Sequence, residues 1–397
     1  MTAVRSVLVV GASAAGLTTA EALRRKGFTG TLTLLGAERE LPYDRPPLSK
    51  QVLSGAWEPE RAQLRSTQAL AALDAEFVLG DPAVGFDADS REVTTASGRT
   101  LTADAVVIAT GVTARTLPDQ RGVRGTHVVR NLEDAAALRA DLLSARRVVV
   151  IGDGVLGAET AATARQMGLD VTLVGPQAAP MTEQLGPLVA GHLADLHLRN
   201  GVELRGGVLL DALHTQGGAV TGLRLSDGTE LEADVVVTAV GCVPATDWLG
   251  NSGLNLDNGV VCDAHCRAAP GVWAVGDVAR WHHQGLGRPV RLENRTNASE
   301  QGLVVAADIL GNGKPYLPVP YFWTDQFDVK LQVHGIASPV AQAEVVEGDP
   351  VDGRFVVRLE GPLGPECVLG WNMPKQARVQ RADLVDYYTR PRQPVTP

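Results

Sequence analysis

Two glycine-rich runs have the residue types and spacing for cofactor chemistry. Gly11-Ala-Ser13-Ala14-Ala-Gly16 and Gly152-Asp-Gly154-Val-Leu-Gly157 each follow an apolar run and lead into an Ala-rich stretch. Glycines at these spacings let the backbone approach a pyrophosphate seated on the unpaired N–H groups of a helix start. The first run has Ser13 in its middle slot; the second carries all three glycines. Glu38 lies 22 residues past Gly16, at the end of the next apolar run, where a carboxylate binds a ribose hydroxyl. After the second run the matching strand ends in Gly175-Pro-Gln, without an acid, and positions 175–180 hold no Arg or Lys to clamp a 2′-phosphate. The ligand expected there is a nicotinamide dinucleotide, NADH or NADPH, with the balance toward NADH. Glu159, two residues past Gly157, either faces the reactive end of that cofactor or is a helix-start carboxylate favoured by the dipole. Two dinucleotide sites on one chain imply a relay, one giving hydride and the other receiving it. A flavin is the natural receiver, because it takes two electrons and passes them on singly.

The elements that must position these runs occur twice. SVLVVGASAAGLTTAEALRRKGFTGTLTLL (6–35) and RVVVIGDGVLGAETAATARQMGLDVTLV (147–174) share one plan. Each is a strand, a glycine turn, a helix stopped by Gly27 or Gly168, then a second strand. Each unit closes on a matching phrase, LTADAVVIATGVTAR (101–115) or LEADVVVTAVGCVPAT (231–246), and each contains a hairpin with a Ser-Gly or Asp-Gly turn. From Lys314 prolines 315, 318 and 320 mark a linker, and strand-like pieces follow. The fold expected is α/β: two doubly wound dinucleotide-binding domains of glutathione-reductase type plus a C-terminal α+β domain. The boundaries expected are 1–112 with 241–316 for a discontinuous FAD-binding domain, 113–240 for the NAD(P)-binding domain and 317–397 for the last. The closing residues RPRQPVTP read as a disordered tail.

Composition excludes several classes. Of 397 residues, 36 are Lys or Arg and 45 are Asp or Glu, a net charge of −9 that argues against nucleic-acid binding and a polybasic membrane anchor. Four cysteines, none in a C-x-x-C pair, exclude a disulfide scaffold and zinc knuckles. No apolar run reaches the ~20 residues of a membrane-spanning helix. The N-terminal MTAVRSVLVVGASAAG reads as a buried strand rather than a signal peptide, which implies a reducing, cytoplasmic setting.

Leu41-Pro-Tyr-Asp-Arg-Pro-Pro-Leu-Ser-Lys50, the twin fingerprints, Ala109-Thr-Gly111 and Val275-Gly276-Asp277 together resemble the FAD-dependent NAD(P)H:ferredoxin reductases of oxygenase and cytochrome P450 systems, the putidaredoxin reductase and biphenyl-dioxygenase reductase type. The resemblance implies that Arg45 and Lys50 lie along FAD, with Lys50 near the reactive flavin nitrogen and paired with Glu159. A cation there stabilises the charge of reduced flavin. It also assigns Thr110 and Gly111 to the strand-end turn over FAD, Asp277 to the ribityl chain, and Arg130, Trp323 and Gln326 to the cofactor's surroundings. Gly241 and Gly276 complete the turns at the cofactor sites. One position departs from the family: Glu293-Asn-Arg295 stands where Glu-His-Trp is usual. Arg295 in place of an aromatic would alter electron exit, shift the flavin potential or bind an anion, or be neutral, stacked on a ring or paired with Glu293.

No cysteine precedes residue 242, so the redox cysteine of disulfide- or peroxide-reducing relatives is missing. His282 and His283 lack further ligands at metal spacing, and no metal site is expected. The partner implied is a small, acidic [2Fe–2S] ferredoxin, steered by local cations among Arg65, Arg288, Arg291, Arg295, Lys314, Lys330 and Arg378. Two other classes stay open: an FAD-dependent oxidoreductase acting directly on a small molecule, and a non-enzymatic flavoprotein module resembling apoptosis-inducing factors in fold. No oligomeric state is legible.

Overall fold

A computed structural model describes residues 4–390. The terminal segment read as a disordered tail lies, from residue 391, outside the described residues.

Apolar Val and Leu runs with glycine punctuation produce two sheets, the second parallel throughout and the first parallel except for its antiparallel edge strand Arg267–Ala269. The first has six strands, in the order Arg267–Ala269, Val272–Ala274, Ala105–Ile108, Ser6–Val10, Thr31–Gly36, Glu76–Leu79. The second has five, in the order Val202–Gly206, Asp170–Gly175, Arg147–Ile151, Val235–Thr238, Thr126–His127. Strands buried on both faces read as continuous apolar runs, as Val7–Val10 and Val148–Ile151 do. The internal repeat holds at single hydrogen bonds. Gly11 N–H donates to Leu35 O (2.7 Å) and Ala109 N–H to Val10 O (2.7 Å); Gly152 N–H donates to Val174 O (2.8 Å) and Ala239 N–H to Ile151 O (2.7 Å). Helices Ala14–Arg25 and Val155–Gln166 follow the two turns. Gly27 and Gly168, at φ +90° and +94°, turn the chain out of them in the left-handed region that favours glycine.

Helix Arg295–Ile309 lies on Ala14–Arg25, and Gly302 permits the contact: a Cβ there would stand 2.8 Å from Thr19 Oγ1 and 3.0 Å from Ala15 O. The two units are joined by a crossing pair, Val112–Ala114 antiparallel to Cys242–Pro244. Each unit also carries a three-stranded antiparallel sheet, from Ala83 to Thr102 and from Leu210 to Glu232, built on the expected hairpins.

The C-terminal unit is a five-stranded antiparallel sheet, ordered Tyr321–Gln326, Val329–Gly335, Gly364–Trp371, Arg354–Gly361, Gln342–Asp349, followed by helices Pro374–Gln380 and Ala382–Thr389. One face covers helix Thr182–Arg199: Leu331, Val333, Phe355 and Trp371 share a core with Leu185, Val189, Leu193 and Leu196. Buried Tyr388 pins the last helix, receiving the Ile336 N–H (2.7 Å) and donating to Glu366 O (2.9 Å). This docking sets the edge strand Tyr321–Gln326 against the junction of the other two units. The α/β architecture expected from the sequence, two doubly wound units plus a smaller α+β unit, is the one observed.

Candidate functional site

Both fingerprints have the backbone of a nucleotide cradle. Gly11 (φ +120°) would place a Cβ 2.1 Å from Ala109 O, and Gly16 would place one 1.9 Å from Gly11 O. The second turn repeats this: Gly152 (φ +113°) meets Ala239 O at 2.2 Å and Gly157 meets Gly152 O at 1.8 Å. Any side chain at these four positions breaks the turn. Ser13 and Gly154 are the extended residues that begin the two helices, Ala14 is the first helical residue of one, and neither helix start has a side-chain cap among the described residues. Their first N–H groups are therefore free for an anion. A Cβ on Gly154 would meet nothing within 4 Å, so open space fronts the second turn.

Beside the first turn lies an alternation of acids and guanidinium groups. Glu38 accepts from Arg45 Nη2 (2.5 Å) and from the Tyr43 hydroxyl, whose ionisation burial pushes far up. Arg45 Nη1 also donates to Arg130 O (2.5 Å). Arg130 Nη2 is 3.7 Å from Asp277 Oδ2, and its guanidinium makes no hydrogen bond among the described residues. A Cβ on Gly111 would stand 3.0 Å from that group, so the strand-end turn and Arg130 are neighbours. Thr110 Oγ1 donates to Ala245 O (2.9 Å). Burial raises the Asp277 carboxyl, against the pull of Arg130. Arg291 donates to Asp277 O (3.1 Å) and pairs with Glu293 (2.7 Å). Gly276 (φ +75°) donates its N–H to Gln301 Oε1 (2.7 Å) and holds this loop against Ala15. A half-buried guanidinium without hydrogen bonds, next to an uncapped helix start and a glycine cradle, fits the pyrophosphate and ribityl chain of FAD.

Lys50, Glu159 and Thr324, one from each unit, meet at the junction. Lys50 Nζ stands 2.8 Å from Glu159 Oε1, with side chains 11% and 6% exposed. Glu159 also accepts from Ser49 Oγ (2.6 Å) and Thr324 Oγ1 (2.8 Å). Behind Thr324, Gln326 Nε2 donates to Thr324 Oγ1 (3.1 Å), and Gln326 Oε1 is 2.7 Å from His197 Nε2. Burial holds the His197 imidazole low, so it donates as the neutral ring. The donors from His197 through Gln326 and Thr324 run toward Glu159, with a side bond from Gln326 Nε2 to Met181 Sδ (3.4 Å), and keep an otherwise costly buried ion pair satisfied.

Several sequence expectations change here. Glu159 does not merely cap a helix start; it is the acceptor at the junction. Trp323 does not join that cluster: Thr324 and Gln326 point into the junction, whereas Trp323 stands on the other face of its strand, stacked on Tyr321 at 6.0 Å. Arg295 neither pairs with Glu293 nor stacks on a ring. It binds Asp44 Oδ1 (2.5 Å) and Ser299 Oγ, tying the helix start Arg295–Ile309 to the Pro-Tyr-Asp-Arg block. Of the cations offered for steering, Arg65 is bound by Glu21, Arg291 by Glu293 and Arg295 by Asp44. Gly241 takes φ +86° in the turn before the crossing pair. Sequence reasoning passed over Ser49, Thr324 and Asp44 as site residues and offered Arg291 only as a steering cation. The period-2 alternation of YFWTDQ was the signal for Thr324; the others had none.

Cys242 is half-buried, and burial with a bond to Glu293 pushes its thiol up to about 12; Cys262, Cys266 and Cys367 are buried, and all four are free. No cluster of three or more metal-ligating side chains occurs among the described residues, and His283 Nε2 is bound to Pro318 O (2.9 Å).

The pyridine nucleotide-disulphide oxidoreductase family matches residues 5–302, and a reductase C-terminal domain matches 321–388. The chain belongs to the pyridine nucleotide-disulphide oxidoreductase family. It is 38% identical over 355 residues to the ferredoxin–NAD(+) reductase component of the anthranilate 1,2-dioxygenase system of Burkholderia cepacia, covering 88% of this chain and 86% of that protein. It is 34% identical over 354 residues to rhodocoxin reductase of Rhodococcus erythropolis, covering 89% and 83%. The covalent putidaredoxin reductase–putidaredoxin complex superposes on 97% of this chain and 94% of that one, at a TM-score of 0.92 and 32% identity. Within a family named for disulphide chemistry, this oxidoreductase places its buried charge pair, rather than a cysteine pair, where its three units meet.

Proposed function

We propose that this chain is the flavoprotein reductase of an oxygenase system. It takes electrons from NAD(P)H, holds them on FAD and delivers them to a [2Fe–2S] ferredoxin serving a cytochrome P450 or Rieske-type oxygenase. The observation that carries the reading is the buried Lys50–Glu159 pair between two nucleotide cradles of one chain. When bound, FAD supplies a two-electron acceptor that releases electrons one at a time. Gly11, Ser13, Ala14 and Gly16 bind its pyrophosphate, Glu38 its ribose, and Arg45, Arg130, Thr110, Gly111, Gly276 and Asp277 its remaining length. The FAD-holding unit is assigned to 1–112 with 241–316, the nicotinamide unit to 113–240, and the third to 317–397. Gly152, Gly154, Gly157 and Gly241 hold the nicotinamide dinucleotide. Lys50 presents a cation at the junction of the two sites, and Glu159 fixes its position. Glu293 and Arg295 act at one remove, through Arg291 and Asp44; Trp323 lies at the rim.

The direct small-molecule reading was motivated by Arg295 standing where an aromatic is usual; Asp44 and Ser299 bind that guanidinium. A cytoplasmic setting is proposed with the function. No helix among the described residues is long and apolar enough to cross a membrane, and the four thiols are free. Anaerobic mixing with NADH or NADPH tests the function: the flavin absorbance bleaches, and added [2Fe–2S] ferredoxin restores it. Bleaching reversed only by a small organic oxidant would contradict the reading.

A further inference from the structure

The two fingerprints differ in the residue after the first glycine, and the second carries Asp153 there. This side chain turns back under the end of strand Asp170–Gly175. Its Oδ2 accepts the backbone N–H of Gln177 (2.9 Å) and its Oδ1 accepts the Gln177 side-chain amide (2.8 Å). The Gln177 side-chain Oε1 accepts in turn from the Glu183 N–H (2.7 Å), and Asp153 O receives the Met181 N–H (2.8 Å). Room for the carboxylate exists because residue 175 is glycine: a Cβ there would lie 2.1 Å from Asp153 Cγ. Nucleotide-binding turns read the ribose 2′-hydroxyl with an acid about 20 residues past the last glycine, or a 2′-phosphate with an Arg. Twenty residues past Gly157 stands Gln177. The carboxylate missing from the strand end is therefore supplied from within the glycine turn, bonded to the residue that occupies its usual place.

We propose that Asp153, oriented by Gln177, selects the nicotinamide dinucleotide: it accepts from the adenosine ribose and rejects a 2′-phosphate. The inference rests on the second fingerprint being the nicotinamide site. Two of the four acceptor positions on the carboxylate are used by Gln177, leaving two for hydroxyl groups. A phosphate would meet a buried, poorly screened like charge. The nearest cation on the neighbouring strand is Arg205, opposite Val174, and Glu203 binds it.

Calorimetric titration of the FAD-loaded protein with NAD+ and with NADP+ measures the selection without turnover. The expected preference for NAD+ is on the order of 100-fold. Asp153→Asn, which keeps shape and removes charge, should strengthen NADP+ binding and shrink the ratio about tenfold or more. Gly175→Ala, whose Cβ displaces the carboxylate, should do the same by another route, so the test survives loss of either variant. Wild-type preference for NADP+, or a ratio unchanged in Asp153→Asn or Gly175→Ala, overturns the inference while leaving the reductase reading intact. Failure of both nucleotides to bind overturns both.

Discussion

Lys50 and Glu159 show how much one pair of side chains can be asked to do. Removing the carboxylate leaves a buried ammonium with no counter-charge, so Glu159→Ala should cost about 3–5 kcal/mol in denaturant unfolding, and Glu159→Gln less. A cost below about 1 kcal/mol, the range of an exposed pair, would show that the junction is wet. Lys50→Met removes the cation from the place where negative charge develops, and should slow flavin reduction by NADH about 10²-fold or more at saturating nucleotide. An unchanged reductive half-reaction in stopped flow would remove Lys50 from the mechanism. The pairing of Lys50 with Glu159 was legible before the structure only through family resemblance, since 109 residues separate the two. Thr324 and Ser49 were not legible at all as partners of Glu159. Hydroxyl residues are common, and only the docking of a third unit shows which ones face a carboxylate.

At the scale of elements, the two β-turn-α units were readable residue by residue, because glycine spacing and apolar runs are local signals. The glycines at 11, 16, 152 and 157 are required because a Cβ at any of them would lie 1.8–2.2 Å from a backbone oxygen. What local signals could not reveal is where the C-terminal strand Tyr321–Gln326 docks, a contact made across more than 160 residues to Glu159. Gly154→Val probes one element by itself. A Cβ at that position meets nothing within 4 Å and its φ of −77° suits any residue, so the fold stays intact. The variant should retain FAD yet weaken binding of nicotinamide dinucleotide at least tenfold in a titration, by closing the approach to the turn. Equal affinity would move the nucleotide elsewhere. The C-terminal sheet carries a pH signature. His334 is held at about 4, against an ordinary 6.5, by burial and by the charges of Arg381 and Arg378; burial lowers His197 and His283 as well. A base with a folded pKa below its unfolded one binds fewer protons in the fold. Its contribution is therefore full above pH 6.5 and is lost as pH falls toward 4, on the order of 3 kcal/mol for His334. His334→Leu should flatten the fall of the unfolding midpoint over that window; parallel curves would contradict this.

Across the whole molecule the charge is −9, and the expected partner is acidic, so encounter depends on local cations rather than on net attraction. Three of the seven candidate residues are neutralised by neighbours; for Arg65 and Arg295 the sequence could not reveal this, because Glu21 and Asp44 lie 44 and 251 positions away. Arg288, Lys314, Lys330 and Arg378 are exposed without an ion pair among the described residues. Arg378 acts electrostatically on Tyr321, the ring against which Trp323 stacks, so this face joins aromatic surface to positive charge. Ferredoxin reduction should slow on the order of tenfold from low to high ionic strength, and Arg378→Glu should lower the low-salt rate. A salt-independent rate would rule out steering. The most direct measurement is the visible spectrum of the purified protein, followed anaerobically through addition of NADH and then of a [2Fe–2S] ferredoxin. It should begin yellow with bound flavin, bleach with the nucleotide and recover with the ferredoxin. A colourless protein that takes up no added FAD would contradict the reading at its root.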